Sequence, residues 1–239
     1  MSWLARLFRP QIELSPALAE RVRAWREQPA ASEKAGLSQA RFIVVDVETS
    51  GLDMRRDRLL SVGACAVEAL RLRAGENYAT ILRRGETNER DNILIHGIGP
   101  QAQAAGEVPE ESLMGFLEFA GRHPLVAFHA SFDQTMLDRA LRAALGVRLS
   151  NPWLDLAHLG PALFPEARLA HAGLDDWLDH FGLRAHARHR ALDDAFATAE
   201  LFLIMLARAR ARGLTSVSAL LAAGEQQARL VPGGGAGGA

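Results

Sequence analysis

The pattern of hydrophobic and polar positions predicts strands in the first half of the chain and helices in the second. Residues 42–48 are nearly all apolar and rich in β-branched side chains, which predicts a central strand buried on both faces. Residues 59–71 and 77–83 are predicted to form two more strands, joined by a turn at residues 74–76. Helical periodicity is found in five segments, which are residues 16–27, 110–121, 133–145, 174–181 and 191–212. With a fourth strand at residues 125–128, this order predicts an α/β fold with a mixed sheet flanked by helices.

The chain is predicted to contain one compact domain with an extension at each end. Residues 1–40 are interpreted as an N-terminal appendage and linker, and residues 41–212 as the domain. Residues 213–232 are a C-terminal extension, and residues 233–239, which are only Gly and Ala, a disordered tail. The appendage could pack on the domain, or contact a membrane or a protein partner, through its apolar patch, which consists of Trp3, Leu4, Leu7 and Phe8.

Composition excludes several classes of protein. Hydrophobic residues make up 49% and charged residues 23% of the 239 residues, which is a globular balance rather than that of a disordered chain. Cys65 is the only cysteine, so a disulfide scaffold and a Cys-rich zinc site are excluded. The net charge of −1 argues against coating of duplex DNA but leaves room for a local nucleic-acid site. The sequence shows no membrane span and no signal peptide, so a cytoplasmic location is predicted.

Two acidic side chains end the apolar strand. Asp46 and Glu48 are two positions apart, so they share one face with their Cα atoms roughly 7 Å apart. Burying two like charges side by side is costly unless a cation neutralises them, which points to a metal site. The pair could equally lie solvated at an exposed strand end, and from these two residues alone the alternatives stay open.

Two further acids follow histidines at short spacing. Asp133 lies four residues after His129, just beyond the strand at residues 125–128, and could be either a helix cap or a ligand at a strand end. Asp194 lies five residues after His189 at the start of the last long helix. The His189 and Asp194 side chains can converge only if His189 stands on the loop before that helix. Asp193 and Asp194 could also both be surface acids favoured by the helix dipole.

The joint order of these motifs resembles the DEDD exonuclease superfamily. The segments are FIVVDVETSG at residues 42–51, HASFDQTML at residues 129–137 and HRALDDAFATAELF at residues 189–202. They are similar to the histidine branch, the DnaQ-like group that includes proofreading ε subunits of bacterial DNA polymerase III. The tyrosine branch has Tyr four positions before the last aspartate, where this chain has Arg190. Oligoribonuclease-like relatives share the Ala-Leu-Asp-Asp run but match residues 48–51 less well.

The resemblance, which covers residues 41–208, implies a ribonuclease-H-like fold and a 3′→5′ exonuclease. Such an enzyme hydrolyses phosphodiester bonds at single-stranded DNA or RNA 3′ ends and releases nucleoside 5′-monophosphates with two Mg²⁺ or Mn²⁺ ions. The implied metal ligands are the four acids Asp46, Glu48, Asp133 and Asp194. His189 is the implied general base, because an imidazole with an ordinary pKa near 6.5 can accept a proton from water near neutral pH. The implied contacts with the terminal nucleotide come from Thr49, Leu52 and His96.

Two other classes of function are compatible with the same fold. A non-catalytic nucleic-acid or protein-binding module would be indicated by loss of a metal ligand or of the base, and none is lost. A scaffold role would depend on residues 1–40 docking a partner. Sliding-clamp binding is not expected, because residues 227–230 lack an aromatic anchor. The sequence leaves open whether DNA or RNA is the substrate, and whether the pathway is DNA repair, proofreading or turnover.

Overall fold

The computed structural model describes residues 12–83, 97–184 and 189–230. Five strands form its sheet, namely β1 Arg41–Thr49, β2 Leu59–Glu68, β3 Arg71–Ile81, β4 Leu125–Ala127 and β5 Trp153–Asp155. Their order across the sheet is β3-β2-β1-β4-β5. β1 and β2 pair antiparallel, as do β2 and β3, whereas β1, β4 and β5 run parallel. The mixed sheet predicted from the sequence is therefore confirmed.

Helices cover both faces of the sheet. They are α1 Pro16–Glu27, α2 Pro100–Ala104, α3 Pro109–Ala120, α4 Ala130–Leu145, α5 Leu156–Leu163, α6 Leu174–His180, α7 Ala191–Ala211 and α8 Val217–Leu230. α1, α3 and α4 pack on one face with Ile43 and Val45 of β1. α5, α6, α7 and α8 pack on the other face with Phe42 and Val44. Successive β1 side chains enter opposite cores, so this strand is buried on both faces as its apolar sequence predicts. No helix in these ranges is long and apolar enough to cross a bilayer.

The predicted hairpin turn at residues 74–76 is wrong. The turn between β2 and β3 lies at Ala69 and Leu70, whose φ angles are 51° and 60°. Residues 74–76 instead form a bulge, because Ala66 pairs with Arg73 whereas the preceding Cys65 pairs with Asn77. A two-residue turn with two positive φ angles normally carries Gly or Asn. Ala and Leu give no such signal, whereas Gly75 suggested a turn that the chain does not make.

Cys65 is a fully buried residue of the second core. Burial raises the pKa of its thiol to about 12, so the thiolate is suppressed near neutral pH. The interpretation of Cys65 as a small core residue is therefore confirmed, and this thiol is excluded as a nucleophile.

Helix α1, which the sequence places in the appendage, packs directly on the first core. Its Leu18, Val22 and Trp25 side chains are buried. The indole N–H of Trp25 donates a hydrogen bond to the Gly121 carbonyl at 3.1 Å. These contacts join the helix to the domain, and the domain boundaries stay a prediction. The patch at residues 3–8 and the tail at residues 233–239 lie outside the described residues.

We expect Trp25→Ala to destabilise the whole domain. The side chain is only 2% exposed, and truncating a buried Trp costs about 3–5 kcal/mol. Thermal unfolding should show a Tm lowered by about 10 °C. Arg23→Ala on the exposed face of the same helix is the matched control and should melt like wild type. If both variants melt like wild type, α1 contributes no stability.

Candidate active site

Three carboxylates meet where β1 ends against the start of α7. Asp46, Glu48 and Asp194 each place one oxygen within 4.8 Å of the others. Asp46 and Glu48 are half-buried, and Asp194 is 5% exposed. A like-charge group this compact and this poorly solvated favours the cation-binding alternative over the solvated strand end. Carboxylate oxygens in such a group could hold a divalent metal ion.

Gly63 allows α7 to approach the sheet. It pairs with Asp46 in the β1–β2 register. A Cβ atom at this position would lie 2.1 Å from the Leu192 nitrogen and 2.2 Å from the Ala191 carbonyl carbon. Because such a contact is impossible, only glycine lets the first turn of α7 rest on β2. That approach brings Asp194 beside Asp46 and Glu48.

His189 lies on the loop before α7, as its spacing to Asp194 requires. It has a φ of 64°, in the left-handed region, and is exposed. Its main-chain N–H donates a hydrogen bond to Asp194 Oδ2 at 2.9 Å. The histidine lines a cavity of about 250 Å³ together with Asp46, Glu48 and Asp194. The structure thus brings the predicted base and three predicted ligands to one cavity.

Asp133 lies beside this group but outside the 4.8 Å set. α4 begins at Ala130, three residues earlier than predicted, so Asp133 lies inside the helix rather than capping it. The carboxyl is 5% exposed and accepts a hydrogen bond from the Val47 main chain. Burial raises the pKa of Asp133 well above its ordinary value, and the charges of Asp155 and Glu48 add to the rise. A bound cation would oppose this rise by favouring the carboxylate.

Asp155 is an acid near the site that the sequence analysis missed. It ends β5, and its Oδ1 accepts hydrogen bonds from the main-chain N–H groups of Ala157 at 2.9 Å and His129 at 3.0 Å. His158 Nδ1 lies 3.5 Å from Asp155 Oδ2. Asp155 therefore caps α5 and holds the turn that leads into α4. The available signal was an aspartate before the apolar run at residues 156–163, since carboxyl ends of parallel strands converge.

The three predicted nucleotide contacts differ in what the structure shows. Thr49 is nearly buried, and its hydroxyl donates to the Gly51 carbonyl at 2.7 Å. Leu52 is 85% exposed, which is unusual for a large apolar side chain held in an ordered loop. His96 lies outside the described residues. Its neighbours Gly97 and Ile98 line a second cavity, of about 600 Å³, that also reaches Glu48.

A family described as Exonuclease matches residues 43–202 of this chain. That match covers most of the sheet, part of each helical layer and every residue of the carboxylate group. The chain belongs to this exonuclease family, and the resemblance inferred from the three motifs is confirmed.

Individual relatives place the chain within the family. It is 30% identical over 166 residues to a DNA polymerase III ε subunit of Treponema pallidum, covering 70% of this chain and 76% of that protein. It is 29% identical over 187 residues to the PolC-type DNA polymerase III of Thermotoga maritima, covering 78% of this chain but only 13% of the polymerase. The chain therefore spans about an eighth of that relative's length.

A solved structure shows the same fold. E. coli exonuclease I in complex with a dT13 oligonucleotide superposes with a TM-score of 0.60 at 18% identity, covering 73% of this chain and 43% of that one. The ribonuclease-H-like fold class predicted for this chain is thereby confirmed.

Proposed function

We propose that this protein is a metal-dependent 3′→5′ exonuclease that releases nucleoside 5′-monophosphates from single-stranded ends. The observation that carries the proposal is the group of Asp46, Glu48 and Asp194 within 4.8 Å, with His189 on the same cavity. The family match and the ε-type relative support the same activity. A non-catalytic binding module would have no need to keep these acids and the histidine together.

The chemistry assigns a separate task to each side chain. Two Mg²⁺ or Mn²⁺ ions, when bound, stabilise negative charge on the attacking, phosphoryl and leaving oxygens. By the family resemblance, Asp46 would be the ligand common to both ions, Glu48 and Asp194 would hold the ion that activates the attacking water, and Asp133 would support the other ion. Hard carboxylate oxygens suit these ions better than zinc.

His189 would act on the attacking water. Its imidazole would accept the water's proton while the water oxygen forms a bond to phosphorus and the bond to the leaving 3′ oxygen breaks. The leaving 3′ oxygen then takes up a proton and becomes the new strand end. The main-chain hydrogen bond from His189 to Asp194 supports this role, because it holds the histidine next to a metal ligand.

The substrate end would be held by Thr49, Leu52 and His96. Thr49 would contact the terminal nucleotide through its main chain, since its hydroxyl is already bonded to Gly51. Leu52 would pack against the terminal base. This contact would remove its exposed apolar side chain from water, which favours binding. His96 keeps this role as a proposal from the family resemblance.

We expect Leu52→Ala to weaken binding of the substrate end. KM for a short oligonucleotide should rise about tenfold, with a smaller change in kcat, because a leucine contact contributes about 1.5–3 kcal/mol when fully buried. Steady-state kinetics on a dT oligomer measure this split. Leu230→Ala, which removes an exposed leucine on α8, should leave KM unchanged. An unaltered KM for Leu52→Ala would remove this residue from the binding site.

A degradation assay tests the proposed activity itself. DNA and RNA oligonucleotides with either a free or a blocked 3′ end are incubated with and without Mg²⁺. Nucleoside 5′-monophosphates should appear stepwise from the free 3′ end, and only with the metal. Internal cleavage, release from the 5′ end or equal rates in EDTA would contradict the proposal. Comparison of the rates on DNA and RNA oligonucleotides identifies the substrate, since contacts with the 2′-hydroxyl distinguish RNA from DNA.

The proposed partner is a single-stranded nucleic-acid 3′ end, and the proposed location is the cytoplasm. The oligonucleotide complex of E. coli exonuclease I supports the choice of a single strand. The packing of α1 on its own domain supports an intramolecular role for residues 16–27, so contact with a protein partner would fall to the first part of residues 1–40. Clamp binding is not proposed, since residues 227–230 have no aromatic anchor.

A further inference from the structure

The loop between β1 and β2 is rigidly closed. Ser50 and Arg58 close it through a main-chain hydrogen bond of 2.9 Å and a bond of 3.0 Å from the Arg58 N–H to the Ser50 hydroxyl. Inside the loop, the Asp57 carboxylate accepts from the Ser50 hydroxyl at 2.9 Å and from the Asp53 N–H at 2.7 Å. Asp57 thus stabilises the loop from within, and the Arg58 side chain is left on the exposed surface.

Arg139 of α4 ties this loop to the helix. Its guanidinium donates to the main-chain carbonyls of Asp57 at 3.1 Å, of Arg55 at 3.0 Å and of Met54. A groove of about 550 Å³ lies between the loop and α4, and Arg58, Arg139 and Arg142 line it. The two walls of the groove are therefore fixed relative to each other before anything binds.

The groove is locally basic although the chain as a whole is not. Its lining contains three arginines and one aspartate, whereas the whole chain has a net charge of −1. Asp57 is engaged inside the loop, and Asp138 accepts from Arg142 at 2.8 Å and is 15% exposed. An excess of arginine on a fixed concave surface is suited to phosphate groups.

The loop and the helix that form the groove both lead to the carboxylate site, although the two cavities share no lining residue. The loop begins directly after Glu48 and Thr49, and α4 carries Asp133 in its first turn. Arg139 lies six residues beyond Asp133, or about 9 Å along the helix axis. A strand whose last phosphodiester lies at the carboxylates would have to extend at least this far to reach the groove.

We propose that this arginine groove binds the phosphodiester backbone of the strand leading to the 3′ end. The inference rests on the proposed exonuclease function and extends it, because it assigns a second binding region for nucleotides that are not being cleaved. Arg58 and Arg142 contact phosphates, and Arg139 acts as a positioning residue that holds the loop. Contacts of this kind depend on charge and not on base sequence.

Fluorescence anisotropy with 5′-labelled dT12 and dT3 tests the groove. The measurement is made in EDTA, so that a metal-dependent nuclease leaves the strand uncut. Wild type should bind dT12 more tightly than dT3. Arg58→Ala and Arg142→Ala should each raise Kd for dT12 about threefold to tenfold and lower the salt dependence by about 0.7 per lost phosphate contact. Arg58→Lys keeps the charge and should recover most of the affinity.

Neutral linkages locate the contact on the strand. A methylphosphonate placed at one linkage at a time should weaken wild-type binding most where an arginine meets the phosphate. At that linkage Arg58→Ala should cause no further loss of affinity, because the methylphosphonate has already removed the phosphate charge that Arg58 contacts. The two changes together form a double-mutant cycle. Arg229→Ala, on α8 at the opposite face of the sheet, is the control and should bind like wild type at every linkage.

Three results would overturn the groove. The first is that wild type binds dT12 and dT3 with equal affinity. The second is that Arg58→Ala and Arg142→Ala both bind dT12 as tightly as wild type. The third is that the losses of affinity from Arg58→Ala and from a methylphosphonate are additive at every linkage. Failure of the proposed function looks different. A protein that binds dT12 through these arginines but degrades no strand would refute the exonuclease, whereas degradation with unaltered binding by both variants would refute the groove.

Discussion

Asp46→Ala should abolish hydrolysis while the protein stays folded. Asp46 is one of the three carboxylates grouped within 4.8 Å, and in the proposed mechanism it is the ligand that both ions share. The metal contribution to transition-state stabilisation is several kcal/mol, so the rate should fall about 10³-fold or more. Removing one of three neighbouring carboxylates also relieves like-charge repulsion when no metal is bound, so the Tm in EDTA should stay the same or rise.

Melting with and without Mg²⁺ separates this loss from unfolding. Wild type should gain stability on adding Mg²⁺, since a ligand that binds the folded state stabilises it, and Asp46→Ala should gain less. Asp179→Ala makes the same chemical change on the exposed surface of α6 and should keep both activity and the Mg²⁺ effect. Turnover by Asp46→Ala comparable to wild type, with contaminating nuclease excluded, would reject the metal site.

His189→Ala should slow the chemical step about 10²- to 10⁴-fold, the usual contribution of a general base. The hydrogen bond to Asp194 comes from the main chain of His189, so removing the imidazole leaves that contact and metal binding nearly intact. Because this residue has a φ of 64°, His189→Asn is the better matched variant: Asn tolerates the left-handed region and has no basic nitrogen.

Single-turnover rates at saturating Mg²⁺, measured against pH, distinguish a base from a structural histidine. Both variants should be slow, and the acidic limb of the rate profile should change, because a protonated imidazole cannot accept the water's proton. A purely structural role predicts lower stability with a near-normal rate in the folded fraction. A wild-type rate with an unchanged acidic limb in His189→Asn would leave only the carboxylates in the mechanism.

The fold could be predicted where the signal is local. A nearly continuous apolar run marked β1 as a central strand, and helical periodicity located α1, α3, α6 and α7 to within a residue or two. Elements with weak local signals were missed. β5 has three residues, too few for alternation to show, and the β2–β3 turn uses Ala69 and Leu70, which are not typical turn residues. Their conformations are set by pairing with neighbouring strands.

The sequence by itself determined the candidate acids, the histidine and their order along the chain, because residue identity and motif spacing are properties of the covalent chain. Only the tertiary structure decided between a solvated strand end and a compact carboxylate group, since that choice depends on where α7 lies. Gly63 permits the helix to touch β2, and burial then makes the assembled charges costly without a cation. Asp155 was identified only from the structure for the same reason. It lies close to His129 because the parallel strands β4 and β5 end at the same side of the sheet, and no local sequence pattern encodes that arrangement.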